Sequence, residues 1–233
     1  MSGVRTDGAW LLREAMGTVL ARAADALAAE PFPSPEILLF DVGGRGRPYA
    51  ALFAARLGGN GHRVRHVVID PGDDADVRAV AEHLPLASGR ADVVLCTQVL
   101  EHVRDPSRAV SEMARVLRPG GVCLLTTHGT WFYHPDPEDY WRWTPAGLAR
   151  LFESAGFGSV RLEPVGGTKL ALTVLGLTTL ERSLGEGAAA ALARRLVVAP
   201  VNLLAGEILL RRVAGRRPLP GELAINYLVT ARR

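Results

Sequence analysis

Three groups of residues in this chain combine side-chain chemistry with spacing that could bring them to one edge of a sheet. The first is Trp131-Phe132-Tyr133-His134 followed by Asp139-Tyr140-Trp141-Arg142-Trp143, which gathers six of the fourteen aromatic residues within thirteen positions. Titratable side chains are interleaved with the rings at His134, Asp136, Glu138, Asp139 and Arg142. Such a mixture suits a lid that stacks on a sugar or planar substrate and excludes water. Trp131, Tyr133, Asp139, Tyr140 and Trp141 are its candidate substrate contacts; a Pro-rich loop packed over a sheet edge is the plainer alternative. The second group is Phe40-Asp41-Val42-Gly43-Gly44-Arg45-Gly46, where a strand runs into a glycine-rich turn. Glycine there lets backbone approach a ligand closely. The third is Asp70, at the end of another strand, where a carboxylate can accept hydrogen bonds from two ribose hydroxyls. That geometry indicates an adenosine-type ligand without choosing which; an Asp opening the Pro71-Gly72 turn is the bland reading.

The elements that must carry these groups alternate strand and helix. Between Ala91 and Gly129 the pattern reads as buried strand, loop, helix and second buried strand. Val93 to Leu95 is a continuous apolar run, as in a strand covered on both faces. Asp105 and Pro106 supply a helix cap and first-turn residue. Val110, Met113, Ala114 and Leu117 follow at helical spacing, and Pro119-Gly120-Gly121 ends the helix before a strand from Val122. Further strands are expected over 37–42, 65–70, 76–80, 159–163 and 222–231, with helices over 9–29, 47–57 and 144–155. Consecutive parallel-sheet units make an α/β domain the expected fold.

The 233 residues suffice for one substantial core with an appendage. The expected organisation is an N-terminal helix over 1–35, a cofactor-binding core over 36–164, an apolar helical insertion over 165–220 and a final core strand over 221–233. The net charge of +3 divides into +6 from Val165 onward and −3 before it. A basic tail of this kind faces anionic lipid or a phosphorylated substrate, or is simply a solvated surface. Within the insertion no apolar stretch reads as the ~18 uninterrupted residues that span a bilayer. Through 166–220 the expected contacts are a homodimer interface or peripheral attachment to a membrane. Cys96 and Cys123 read as packed thiols, and no metal-ligand cluster has usable spacing. No signal sequence is read at the N-terminus, so a cytoplasmic protein is expected.

The string VLEHVRDPSRAVSEMARVLRPGG resembles the fourth-to-fifth-strand segment of class I S-adenosylmethionine-dependent methyltransferases, within the subgroup bearing an "LEH…RvLkPGG" signature. The resemblance covers roughly Ile37 to Leu162. It implies a Rossmann-like, mostly parallel seven-stranded sheet with helices on both faces, an antiparallel last strand and a helical insertion before it. It also implies S-adenosyl-L-methionine as cofactor, held by Asp41, Gly43, Gly44, Gly46 and Asp70. Gln98 lies beyond the fourth strand. Val80 occupies the position of the family's adenine-side carboxylate, with Glu82 nearby. The family's D-x-G-x-G-x-G is departed from at Arg45 and Arg47. Methyl transfer to a hydroxyl of a sugar or small metabolite is the implied reaction, with His128, then His134, as the candidate base; in such a family His102 has a structural place beside the cofactor. Two other readings stay open: a methyltransferase-like partner protein without catalysis, and an NAD-dependent or nucleotide-sugar enzyme. The latter is disfavoured because no glycine completes G-x-G-x-x-G after Gly46 until Gly58. A small-molecule or glycan substrate is expected, and no nucleic acid, because the basic residues are not interleaved with the aromatics.

Overall fold

A computed structural model of the chain describes residues 7–59, 61–210 and 219–233. Seven strands form one sheet: β1 (Glu36–Val42), β2 (Arg63–Asp70), β3 (Val77–Arg78), β4 (Ala91–Thr97), β5 (Leu117–His128), β6 (Ser159–Pro164) and β7 (Asn226–Arg232). Their order is β3-β2-β1-β4-β5-β7-β6. β1 is parallel to both β2 and β4, and β5 is parallel to β4. β7 runs antiparallel: Gly158 N–H donates to Arg232 C=O at one end of β6 and Val165 N–H to Asn226 C=O at the other. The expected sheet is therefore present, including its antiparallel last strand.

The helices are α1 (Trp10–Ala28), α2 (Ala50–Gly58), α3 (Pro106–Val116), α4 (Pro145–Ser154), α5 (Thr168–Leu184), α6 (Ala188–Ala193) and α7 (Ala199–Leu209), with a π-helical turn, Arg194–Val198, joining the last two. The chain moves outward in opposite directions from β1 and from β4. Right-handed crossovers therefore put α2 and α3 on opposite faces of the sheet. All seven residues of β4 are buried, which explains why its sequence does not alternate. α3 forms where Asp105 Oδ1 accepts from Arg108 N–H at 3.0 Å and Pro106 fixes the first turn. Its apolar face buries Ala109, Val110, Met113 and Ala114.

Several boundaries differ from expectation, each for a local reason. α2 starts at Ala50 rather than Arg47, because Arg47 N–H bonds Gly44 C=O in a turn and Arg47 adopts φ +52°. β3 shrinks to two residues paired with Ile69 and Asp70. α3 ends at Val116, and Leu117 is already extended. Arg118 to Gly121 then bulge within β5, since Leu117 pairs with Ala91 and Val122 with Val93. Gly121 is required there: a Cβ would sit 2.9 Å from Arg118 O and 3.1 Å from Ala91 O. β7 begins four residues later than read, at Asn226.

Two compact units emerge. Residues 20–163 with 227–233 form one, and the described residues of 1–19 and 164–226 form the other. In the second, the helix from Ala188 to Gly206 is continuous over 19 residues, long and apolar enough by composition to cross a membrane. Arg194 and Arg195 still interrupt its apolar run, as expected, but the helix as a whole reaches that length and composition. Asn202, read as an interruption, is buried and donates to Asp7 C=O at 3.0 Å without breaking the helix. Pro200 cannot donate a backbone hydrogen bond, and the turn before it widens to the π form. Arg211 and Arg212, expected at a helix edge, lie outside the described residues.

Candidate active site

Neighbouring strands β1 and β4 lead the chain in opposite directions, and a cleft of about 730 Å³ opens at their carboxyl ends. Val42 and Gly43 form its floor, Ile69, Asp70 and Ala79 to His83 one wall, and Gln98, Val99 and His102 to Asp105 the other. Asp136 to Glu138 and Tyr140 border its mouth. Its size is that of a small-molecule site.

The glycine turn is held from both sides. Gly43 N–H donates to Ile69 C=O at 2.7 Å, and with φ +77° a Cβ would fall 2.1 Å from Val99 Cγ2. A Cβ on Gly44 would lie 2.3–2.7 Å from the Asp41 carboxylate. Asp41 is buried beneath the turn, with Oδ2 3.0 Å from His66 Nε2 and Oδ1 free of any protein hydrogen bond. It braces the loop and does not line the cleft. Gly46, also at positive φ, donates to Asp74 Oδ2 at 3.2 Å. Among the two departures from the glycine pattern, only Arg47 takes the left-handed conformation, and its guanidinium bonds Asp76 at 2.7 Å. Arg45 has no positive φ; its side chain is 64% exposed and its Nε lies 3.7 Å from Asp70 Oδ1. Asp70 is buried except toward the cleft it lines, and its Oδ1 accepts from Gly72 N–H at 2.8 Å. Gln98 adopts φ +56° and is fixed by Thr126 through both its backbone and side-chain N–H groups. A bulky residue held at positive φ on the rim of a cleft is strain of the kind found at ligand sites. Glu82 borders the cleft with Oε1 accepting from Arg104 N–H at 3.1 Å, while Val80 is half exposed to it.

On the other side, the segment after β5 folds back over the turn that follows β4. Tyr140 N–H donates to Glu101 C=O at 2.8 Å, Trp141 Nε1 to Val103 C=O at 2.8 Å, and Trp143 N–H to His128 C=O at 3.0 Å. These contacts bring three histidines together. His128, 4% exposed at the end of β5, stacks parallel on Trp131 at 5.4 Å. His134 packs edge-on against His128 at 5.1 Å and against His102 at 5.0 Å. Of the three, only His102 lines the cleft. The fully buried Glu101 accepts from Thr127 Oγ1 at 2.9 Å through Oε2, and its Oε1 lies 3.4 Å from His128 Nε2. Burial pushes the Glu101 carboxyl up, and the Thr127 hydrogen bond partly offsets this.

The candidate substrate contacts separate in position. Tyr140 stands at the cleft, its hydroxyl accepting from Arg104 Nε at 3.1 Å. Trp131 lies behind it on His128, Trp141 is pinned to Val103, and Tyr133 is 70% exposed. Asp139 has both oxygens on Arg142 at 2.6 Å and also accepts from His134 N–H at 3.0 Å. Arg142 holds its carboxyl well below the usual range, so Asp139 organises the segment and has no free oxygen to offer a substrate. Sequence reasoning missed Glu101 as a functional group and underrated His102. Neither has a spacing signal, because their partners lie 26 to 36 positions away.

Residues 47–125 match the family described as methyltransferase domain. An uncharacterized methyltransferase of Mycobacterium sp. strain JLS is 41% identical over 111 residues, 42% of this chain and 41% of that relative. A probable S-adenosylmethionine-dependent methyltransferase of Mycolicibacterium smegmatis is 41% identical over 80 residues, 32% of this chain and 31% of its own length. Over residues 47–125 the chain is similar to methyltransferase domains, and its seven-stranded sheet has the class I methyltransferase fold. Its matched region spans about two fifths of the first relative's length. In fold, the domain superposes on phosphoethanolamine N-methyltransferase 2 of Haemonchus contortus in complex with S-adenosyl-L-methionine, with a TM-score of 0.53 at 15% identity over 91% of this chain and 52% of that one.

S-adenosyl-L-methionine is the cofactor that the similarity to methyltransferase domains implies, and the cleft fits it. The Gly43 cradle would be filled by any Cβ, and the Asp70 carboxylate faces a volume large enough for a nucleoside. Ala79 to Ala81 offer an apolar wall for a planar base. The same similarity counts against the nicotinamide reading.

Proposed function

We propose that this chain transfers a methyl group from S-adenosyl-L-methionine to a hydroxyl of a sugar or other small metabolite. The observation that carries the reading is the direct continuity between the Asp70 cleft and the histidine–glutamate cluster, through His102 and Tyr140 on the shared rim. When bound, the cofactor supplies a methyl group on a positively charged sulfur, already a strong electrophile. The protein's own task is then to orient an acceptor and remove its proton. Asp70, Gln98, Glu82 and the Gly43–Gly46 turn, braced by Asp41, hold the cofactor. Tyr140 flanks the acceptor, with Trp131 behind it on His128. The imidazole cluster of His102, His134 and His128 receives the proton, and His102 is its member at the cleft.

The test is an acceptor screen with methyl-labelled cofactor, locating the label in the product by NMR. A methyl ether is the expected product; an N- or C-methyl product would replace the hydroxyl reading. A second reading, a catalytically inactive binding protein, has one observation in its favour: Arg45 Nε stands 3.7 Å from the carboxylate expected to hold ribose. Failure of the cofactor to bind would bring that reading forward.

For the helix from Ala188 to Gly206 we propose peripheral contact with a lipid surface. Leu192, Leu196, Leu203 and Leu204 are exposed along it beside Arg194 and Arg195. Co-sedimentation with anionic vesicles supports this; a dimer by light scattering without vesicle binding favours the homodimer.

A further inference from the structure

Glu101, His102 and His134 each offer one ligand atom, and the three atoms lie within 4.8 Å of one another. The set joins two adjacent residues to one 32 positions later, so spacing did not reveal it. Three features distinguish it from histidines merely packed together. The Glu101 side chain is fully buried, and its Oε1 makes no hydrogen bond, with His128 Nε2 standing 3.4 Å away. Leaving a buried carboxylate oxygen so placed is costly unless a cation or donor meets it. Both imidazoles are already oriented through Nδ1: that of His102 bonds Glu138 C=O, and that of His134 lies 3.2 Å from Phe132 C=O and 3.3 Å from Asp139 Oδ2. Asp139 is in turn clamped by Arg142. An imidazole anchored through one nitrogen by a carbonyl or carboxylate presents the other as a ligand, the usual outer arrangement of histidine metal sites.

We propose that Glu101, His102 and His134 bind one divalent first-row transition metal ion, Zn²⁺ being the natural probe. Two imidazoles and one carboxylate form a donor set that suits Zn²⁺ or its neighbours and leaves a coordination position open. Mg²⁺ and Ca²⁺, which take oxygen ligands, are poorly matched to it. His102 borders the cofactor cleft, so the open position would serve an oxygen of the acceptor; the ion, taking the ring nitrogens of His102 and His134, would acidify that hydroxyl and leave His128 as the imidazole that receives the proton. That use rests on the proposed methyl transfer; the binding of the ion does not.

The experiment is calorimetric titration of the untagged, chelator-treated full chain with ZnCl₂, with S-adenosyl-L-methionine binding measured on the same preparation. Co²⁺ absorption spectra report the ligand field directly. One ion per chain is expected. The double variant His102→Ala/His134→Ala, shown to be folded by circular dichroism, should weaken Zn²⁺ binding by more than the roughly 10- to 100-fold that loss of an outer partner costs. Glu101→Gln, of the same shape, should weaken it as well. No stoichiometric Zn²⁺ binding, or binding unchanged in the folded double variant, overturns the site and leaves Glu101 Oε1 with only His128 Nε2 beside it at 3.4 Å. Cofactor binding without Zn²⁺ binding defeats the metal proposal alone; Zn²⁺ binding without cofactor binding defeats the methyltransferase reading alone.

Discussion

At the scale of the residue, the cofactor cleft depends on a few atoms with little room to move. Asp70 presents a buried carboxylate to the cleft, and hydrogen bonds to a charged group contribute about 1.5–3 kcal/mol each. Asp70→Ala should therefore weaken S-adenosyl-L-methionine binding roughly 10- to 100-fold by calorimetry, with the melting temperature little changed. Gly44 is constrained differently. An added Cβ would meet the Asp41 carboxylate at 2.3–2.7 Å, so Gly44→Ala should displace the turn and abolish measurable cofactor binding in a protein that still folds. Arg45 looks like the gravest departure from the family's glycine pattern, yet its backbone is ordinary and its side chain is 64% exposed. An exposed ion pair contributes about 0–1 kcal/mol. Arg45→Gly should thus change cofactor affinity by no more than about fivefold; a larger gain would mean that Arg45 obstructs Asp70. The roles of Asp70 and the glycines were legible because strand-end acids and turn glycines have local signatures. The meeting of His102, His134 and Glu101 was not, because it depends on the segment after β5 folding back onto the turn after β4.

At the scale of the element, α3 secures the wall of the cleft. Arg115 donates to Leu84 and Leu86 carbonyls at 2.8 and 2.7 Å, and Glu112 accepts from Leu84 N–H at 2.9 Å while bonding Arg115. Arg115 and the Leu84 N–H hold the Glu112 carboxyl below its ordinary range. The folded state then binds fewer protons than the unfolded state. The stabilisation is complete above the unfolded value of ~4.3 and is lost as pH falls toward the folded one. Glu112→Gln should lower the melting temperature at neutral pH and flatten its decline below about pH 4.5. An unchanged acid slope would show that other carboxylates dominate. Element boundaries show what periodicity can and cannot specify. Strands β1, β2 and β4 were readable from apolar runs. The bulge at Arg118–Gly121 was not, since Pro-Gly-Gly reads as a helix stop, whereas the structure spends it on pairing Arg233 beside β5. The insertion was readable as apolar and helical, but the continuity of its helix from Ala188 through Asn202 was not, because a buried Asn202 counts as polar in a sequence and is satisfied in the fold.

At the scale of the whole molecule, the site and all of the sheet but Pro164 and Asn226 belong to one compact unit. Cys96 and Cys123 sit on adjacent central strands of it, both fully buried. Burial pushes the Cys123 thiol up to about 12 and the Cys96 thiol well above its usual value. The thiolate is the reactive form, so both should resist a thiol reagent in the native protein and react together on denaturation. Reaction of either one under native conditions would reveal opening of the sheet. The central claim is that this cleft binds S-adenosyl-L-methionine, and calorimetric titration of the folded protein with the cofactor and its demethylated product tests it most directly. One-to-one micromolar binding of both, weakened by Asp70→Ala, is the expected result. Absence of both heat and thermal shift, from protein that circular dichroism shows to be folded, would contradict it.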